Sequence, residues 1–286
     1  MNVKYFDHAN QTFIDIEMDG CKFSNWKSCQ ADYPFAVHPK GFPIFLSAND
    51  IEANDEYAIT DPYSVADNKL DAFHRRRIEL TLDMVRDAVS EKRTPPRILD
   101  LGCGQGHITE EIRRANPEAE VSGLDYSVSA IEYAHEKFPE IDFAVGDAYK
   151  NPYSEAYFDV IICNNLWEHV PDPLSLLSRM KLILKDQGFI VISTPSRYRT
   201  VNLIRVLLGR PVIFMSDHHV TEYTVGQIKE QLSFGGFSVQ AMSSRPLESA
   251  SLKSKFATAL LRSVLSLVGS HHMLEATVFY LVKPKL

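Results

Sequence analysis

The chain has 286 residues, with 30 lysines and arginines against 37 aspartates and glutamates, a formal net charge of -7. A chain of this length buries about 75% of its unfolded surface in one large domain or a domain with an extension. Its acidic balance, without a basic block, argues against a grip on a phosphate backbone and so against nucleic acid as substrate.

Residues 1–70 do not follow the rhythm of the rest and are expected to form an N-terminal extension, with short strands and turns around the prolines and glycines of residues 33–46. From residue 71 the pattern changes. Phe73, Ile78, Leu82, Val85 and Val89 recur near helical spacing, predicting a helix over 72–89 that Pro95 and Pro96 stop. The apolar run Ile98-Leu99 then leads into Asp100-Leu101-Gly102-Cys103-Gly104-Gln105-Gly106, a buried strand feeding a tight turn whose glycines present bare backbone to a ligand. Helices over 107–115, 129–138 and 174–184 alternate with strands over 120–125, 141–145, 158–163 and 189–193, and residues 185–188 form a turn. Continuous apolar strands of this kind indicate a parallel sheet covered on both faces.

The rhythm breaks after Ser193, where residues 194–219 form an insertion with an apolar helix over 201–208. Insertions beyond the carboxyl ends of such strands lie over the ligand crevice, so this one is expected to be a substrate lid. A helix over 224–234, a strand over 237–242, an apolar helix over 252–268 and a last strand over 275–282 complete the chain.

Several nucleotide-binding folds use a glycine-rich turn after a strand. Here Gly102, Gly104 and Gly106 run G-x-G-x-G, and the third position of the dinucleotide fingerprint is His107, which weakens a pyrophosphate reading. Four further motifs follow in order: Gly123-Leu124-Asp125-Tyr126-Ser127, Gly146-Asp147-Ala148, the strand and loop Phe158-Asp159-Val160-Ile161-Ile162-Cys163-Asn164-Asn165, and Leu166-Trp167-Glu168-His169-Val170-Pro171-Asp172-Pro173. Over roughly residues 71–286 the chain resembles the class I S-adenosylmethionine-dependent methyltransferases, of the small-molecule type that includes ubiquinone-pathway and natural-product O-methyltransferases.

That resemblance implies an α/β fold, a doubly wound, seven-stranded, mainly parallel sheet with the last strand antiparallel beside the sixth, and S-adenosylmethionine as cofactor. It implies that Gly102, Cys103, Gly104 and Gly106 supply close backbone, and that Asp100 meets the methionine amine together with Asn164. Asp125 would hold the ribose hydroxyls, Tyr126 or Ser127 would lie beside the adenine, and Asp147 and Ala148 would recognise its edge. One of Arg75, Arg76 and Arg77 would clasp the carboxylate bidentately, the others lying on a solvated helix face.

Methyl transfer is an in-line displacement in which the protein mainly aligns and desolvates. For a hydroxyl acceptor a positioned base adds about 100- to 10,000-fold. His169 is the first candidate for that base, and His219, in an H-x-x-E-[YF]-T element after the lid, is the second. In some relatives an E-x-x-E-H run with a later histidine binds a divalent metal. Asn165 stands here in place of the first glutamate, removing a hard oxygen ligand. No metal is therefore expected; one held here would be ligated by Glu168, His169 and His219. Cys21 and Cys29 alone are too few for a zinc ribbon in the extension, and the four cysteines, with Cys103 and Cys163, include neither a C-x-x-C pair nor a disulfide framework.

The expected function is methylation of a small-molecule hydroxyl. No N-P-P-Y follows the fourth strand, which disfavours amide or nucleobase methylation by that device. Alternatives are N- or C-methylation, an NAD-type oxidoreductase, and a non-catalytic cofactor-binding partner or a membrane-binding module using the 252–268 helix with Lys253, Lys255 and Arg262. The opening residues lack the apolar core of a signal peptide, and stretches 203–215 and 256–269 fall short of spanning length, so a cytoplasmic protein without an integral membrane segment is expected, with a homodimer left open.

Overall fold

The computed structural model describes residues 2–7, 12–17, 36–46, 72–246 apart from 91, 93 and 151, and 275–285, with single helical positions between 260 and 267. The zinc-ribbon question at Cys21 and Cys29 and most of the 252–268 helix lie outside the described residues.

Strands β1 (Asn2–Asp7) and β2 (Thr12–Glu17) pair antiparallel in a sheet of their own. The other nine are β3 (Ala36–Val37), β4 (Pro43–Ile44), β5 (Arg97–Leu101), β6 (Glu120–Asp125), β7 (Asp142–Val145), β8 (Phe158–Asn164), β9 (Leu184–Pro195), β10 (Phe237–Pro246) and β11 (Glu275–Pro284). They form one sheet in the order β10-β11-β9-β8-β5-β6-β7-β4-β3. Strands β7, β6, β5, β8 and β9 run parallel, and β11 enters antiparallel between β9 and β10. The seven strands expected are all present. Two more come from the extension: β3 and β4 form a hairpin whose Ile44 pairs with Val145 at the edge.

Alternate residues of the central strands serve opposite faces. Ile98, Val160 and Ile162 pack with Leu80, Met84, Val85 and Ala88 of α1 (Ala72–Val89) and Ile112 of α2 (His107–Ala115). Their neighbours Leu99, Leu101, Ile161 and Cys163 pack on the other face against Leu176, Leu177 and Met180 of α4 (Pro173–Ile183) and Ile228 and Leu232 of α6 (Val225–Phe234). Helix α3 (Val128–Lys137) covers β7 through Val128, Ile131 and Ala134, and Phe42 and Ile44 of the extension complete that cluster. The starts of three helices are written in their caps: Ser127 accepts from Ala130, Asp172 from Ser175, and Thr224 forms a capping box with Gln227.

The turn expected over 185–188 is instead a bulge inside β9. Phe158 pairs with Leu184, and the ladder resumes at Val160 with Phe189. The apolar Leu184 therefore stays in the sheet while the polar residues after it loop out. The insertion after β9 carries the short helix α5 (Thr200–Leu207), and no helix among the described residues is long and apolar enough to cross a membrane. Strand order reverses between β5 and β8. Ligands of open α/β sheets bind at such a switch point, outside the carboxyl ends of the strands.

Candidate functional site

The turn after β5 lies over the end of β6, with the N–H groups of Gly102 and Cys103 donating to Leu124 O at 2.8 and 3.2 Å. Asp125 fixes it from below: its Oδ2 accepts from Gly104 N–H at 2.7 Å and its Oδ1 from Ser127 N–H at 2.9 Å. Gly104 has φ +52°, which favours glycine, so its N–H can point at the carboxylate. Gly106 also serves packing. It caps α2 at φ +75°, and a Cβ there would lie 2.7 Å from the Phe143 ring, which explains why the third glycine falls one position earlier than in the dinucleotide pattern.

Ser127 shares its turn with Tyr126. Its hydroxyl is committed to capping α3 and lies 3.1 Å from Ser129 Oγ, which leaves Tyr126, 36% exposed at the same turn, as the residue able to flank a base. Asp147 accepts from Tyr149 N–H at 2.8 Å through Oδ1, and Ala148 opens a short 3-10 turn beside it, both half-buried. Cys103 is half-buried and Cys163 fully buried, with burial pushing both thiols up. They behave as small core residues.

Asp100 is buried and accepts from Thr109 Oγ1 at 2.6 Å. Burial pushes its carboxyl up to about 6, against the pull of the Thr109 hydroxyl and the Arg77 guanidinium. A cationic group placed beside it would restore the charged form. Of the three arginines on α1, Arg75 and Arg76 are exposed, Arg76 pairing with Glu79 at 2.9 Å, while Arg77 turns inward. Its guanidinium nitrogen donates to Asn165 Oδ1 at 3.4 Å, and its Nε is buried with no hydrogen-bond partner. Nearby, Asn164 donates to Thr81 Oγ1 at 2.8 Å, and its own Oδ1 is a second buried orphan.

Asn165, at φ +54°, links this corner to a second cluster. Its amide donates to Glu168 Oε1 at 2.9 Å. Glu168 is fully buried, its Oε2 lacks a partner, and burial holds its carboxyl above the usual range. His169 is exposed and meets His219 edge-on, ring centroids 4.9 Å apart. Ligand atoms of Glu168, His169 and His219 all lie within 4.8 Å of one another, a spacing that could hold a metal ion. A carboxylate with two imidazoles suits a divalent cation.

His219 is held by a residue to which the sequence reading assigned no role. Its Nδ1 lies 2.9 Å from Oε1 of Glu222, which is fully buried and also accepts from Met215 N–H and the Arg199 guanidinium. Burial works to raise the Glu222 carboxyl, but these donors outweigh it and hold it below the usual range. An ionised carboxylate on Nδ1 keeps the proton there and leaves Nε2 as an acceptor. An imidazole held in this way can accept a proton at Nε2.

Comparison with known proteins follows the same lines. A family model described as a methyltransferase domain matches residues 95–233. A ubiquinone biosynthesis O-methyltransferase of Actinobacillus pleuropneumoniae is 36% identical over 136 residues, 44% of this chain and 57% of that protein. A malonyl-[acyl-carrier protein] O-methyltransferase of Hahella chejuensis is 29% identical over 164 residues, 56% of this chain and 58% of that protein. The chain thus spans a little over half the length of these curated relatives. Among solved structures, the PH0226 protein of Pyrococcus horikoshii superposes with a TM-score of 0.54 at 17% identity, covering 81% of this chain and 99% of that one. The [4+2]-cyclase SpnF gives 0.55 at 16%, covering 77% and 86%. At these identities the likeness speaks to the fold, and a cyclase among the neighbours illustrates that this fold does not dictate one reaction. The sheet order, the glycine turn with its acid partner and the matched segment agree: residues 95–233 are similar to a methyltransferase domain.

Proposed function

We propose that this protein transfers the methyl group of S-adenosylmethionine to a hydroxyl oxygen of a small-molecule acceptor. One observation carries the reading. A hydrogen-bonded line, Arg77 to Asn165 to Glu168, joins the pair of buried orphans to the histidine cluster, so a cofactor corner and a base share one crevice. The orphans fit the methionine end of the cofactor. Arg77 Nε is a donor and suits a carboxylate, and Asn164 Oδ1 is an acceptor and suits an ammonium, with Asp100 behind it. Asp125, already holding the turn by two backbone donors, has acceptor capacity left for ribose hydroxyls.

The bound cofactor supplies an electrophilic methyl on a sulfonium. The chain's own part would be to orient the acceptor hydroxyl and take up its proton at His219 Nε2. His169 lies beside it, edge-on to the His219 ring. The two curated relatives described above are both named O-methyltransferases, which supports oxygen over nitrogen or carbon as the atom methylated.

Calorimetric titration with S-adenosylmethionine, S-adenosylhomocysteine and NAD tests the cofactor. Micromolar binding of the adenosyl ligands alone is expected, and binding of NAD or of nothing overturns the reading. Asp125→Ala is expected to weaken S-adenosylmethionine binding by about tenfold or more, as charge-assisted hydrogen bonds contribute about 1.5–3 kcal/mol each. Unchanged affinity would remove Asp125 from the ribose site.

A second reading is favoured by the convergence of Glu168, His169 and His219, with Glu168 Oε2 unpartnered. There a divalent ion held by these three residues would acidify the acceptor hydroxyl. The base reading expects turnover to survive treatment with EDTA. Turnover abolished by EDTA and restored by Mg²⁺ would replace it with the metal-assisted one.

A further inference from the structure

Helix α5 is inside out. Asn202 is buried, its amide donating to Arg197 O at 2.8 Å and Ile213 O at 3.0 Å while its Oδ1 accepts from Ile213 N–H at 3.1 Å. Arg205, half-buried, turns back to donate to Pro211 O at 2.8 Å. The polar side of the helix therefore holds the lid together. Val201, Ile204 and Leu208, spaced at i, i+3 and i+7, face water together with Leu207, which is 85% exposed. Amphipathic helices of globular domains turn their apolar stripe to the core, and this one does the opposite. Ile213, Phe214, Met215 and Val220 add exposed apolar surface along the rest of the lid. Exposed apolar surface clustered in this way marks an interaction site.

The charge around this surface indicates what covers it. Residues 196–221 hold Arg197, Arg199, Arg205 and Arg210 but a single carboxylate, Asp217, in a chain whose net charge is -7. Arg199 is occupied in the interior with Glu222, so Arg205 and Arg210 remain at the edge of the stripe. Pairing two copies through this patch would concentrate like charges in the interface, whereas an anionic surface would neutralise them. Eight residues of helix extend only about 12 Å, enough to lie in a membrane interface but not to cross it.

We propose that the lid docks on an anionic lipid bilayer, with Val201, Ile204, Leu207 and Leu208 among the acyl chains and Arg205 and Arg210 at the headgroup phosphates. The inference rests on the lid surface alone and stands whether or not the transferase reading holds. Its physical basis is apolar burial combined with attraction to anionic lipid, each too weak alone for stable attachment.

Co-sedimentation of the full chain with vesicles of phosphatidylcholine alone, and of phosphatidylcholine mixed with phosphatidylglycerol, tests it. The chain is expected to pellet with the mixed vesicles, less so as salt rises, and to stay in the supernatant with phosphatidylcholine. The double variant Ile204→Glu/Leu207→Glu is expected to partition about tenfold less or lower still, with its melting temperature unchanged because both positions face water. Arg210→Glu, which alters one exposed charge, is expected to weaken binding to the mixed vesicles even if the double variant folds poorly. Wild-type protein that stays in the supernatant with both vesicles overturns the proposal, as does sedimentation unaffected by these variants. Analytical ultracentrifugation showing a dimer that Ile204→Glu/Leu207→Glu dissociates would assign the surface to a second copy and overturn it equally.

Discussion

Replacing His219 with alanine is expected to lower kcat by about 100- to 10,000-fold, the range a positioned general base contributes, while leaving the affinity for S-adenosylmethionine unchanged. The asymmetry follows from the geometry. His219 is oriented by a buried, ionised carboxylate on Nδ1, and the buried orphans that fit the cofactor belong to Arg77 and Asn164 on other elements. His169→Ala is expected to cost less, because His169 is exposed. Single-turnover rates of the two variants, with calorimetric affinities measured alongside, separate the roles. Equal losses would make the histidines interchangeable parts of one cluster, and a larger loss at His169 would restore the order expected from the motif alone.

The motif alone favours His169, whereas the role proposed for His219 rests on contacts that the sequence does not report. His169 stands directly after the fourth parallel strand, and a position at the carboxyl end of a central strand is readable from the apolar run before it. What orients His219 is Glu222 and, behind it, Arg199, which is 23 residues from Glu222 in the chain and reaches the carboxylate only because the insertion after β9 folds back on itself. No local pattern reports such a return. The same holds for Asn165. The sequence marks it as a lost carboxylate, but its amide bridges Arg77 on α1 and Glu168, a contact that depends on α1 lying across the sheet.

The regular elements were legible because their signals are local. Helix α1 spans the residues its apolar spacing predicts, and β8 is buried along its whole length, five of its seven residues being apolar. The departures occur where tertiary pairing overrides local chemistry. The polar run after Leu184 reads as a turn, yet the strand continues through it as a bulge because β8 offers partners on both sides. The edge hairpin of β3 and β4 is two residues per strand, too short for a periodic signal, and its place beside β7 is set by Phe42 and Ile44 packing with Phe143 and Val145. In α5 the apolar spacing predicts the helix, but periodicity alone does not say which side meets the core.

The pair that orients His219 should also be the most sensitive stabilising contact in the lid. Glu222→Leu is expected to destabilise the protein by about 3–5 kcal/mol, because it leaves the Arg199 guanidinium charged, buried and without its counter-ion. Arg199 would keep its hydrogen bonds to Ser196 O and Ile213 O, but carbonyl dipoles do not replace a full negative charge. A loss of that size lowers the melting temperature by roughly 10 °C. The double variant Arg199→Met/Glu222→Leu removes both charges and is expected to recover most of the loss, since a buried ion pair exchanged for apolar residues is often neutral. Acid should reproduce the effect in the wild type. Because the folded Glu222 carboxyl is held below its ordinary value of 4.5, its contribution is complete above that value and disappears as pH falls through the lower folded one. The gap in melting temperature between wild type and Glu222→Leu should therefore be widest at neutral pH and close as the solution is acidified below 4.5. A gap that stays constant with pH would mean that Glu222 acts by packing alone, and the ionised partner assigned to His219 would be lost with it.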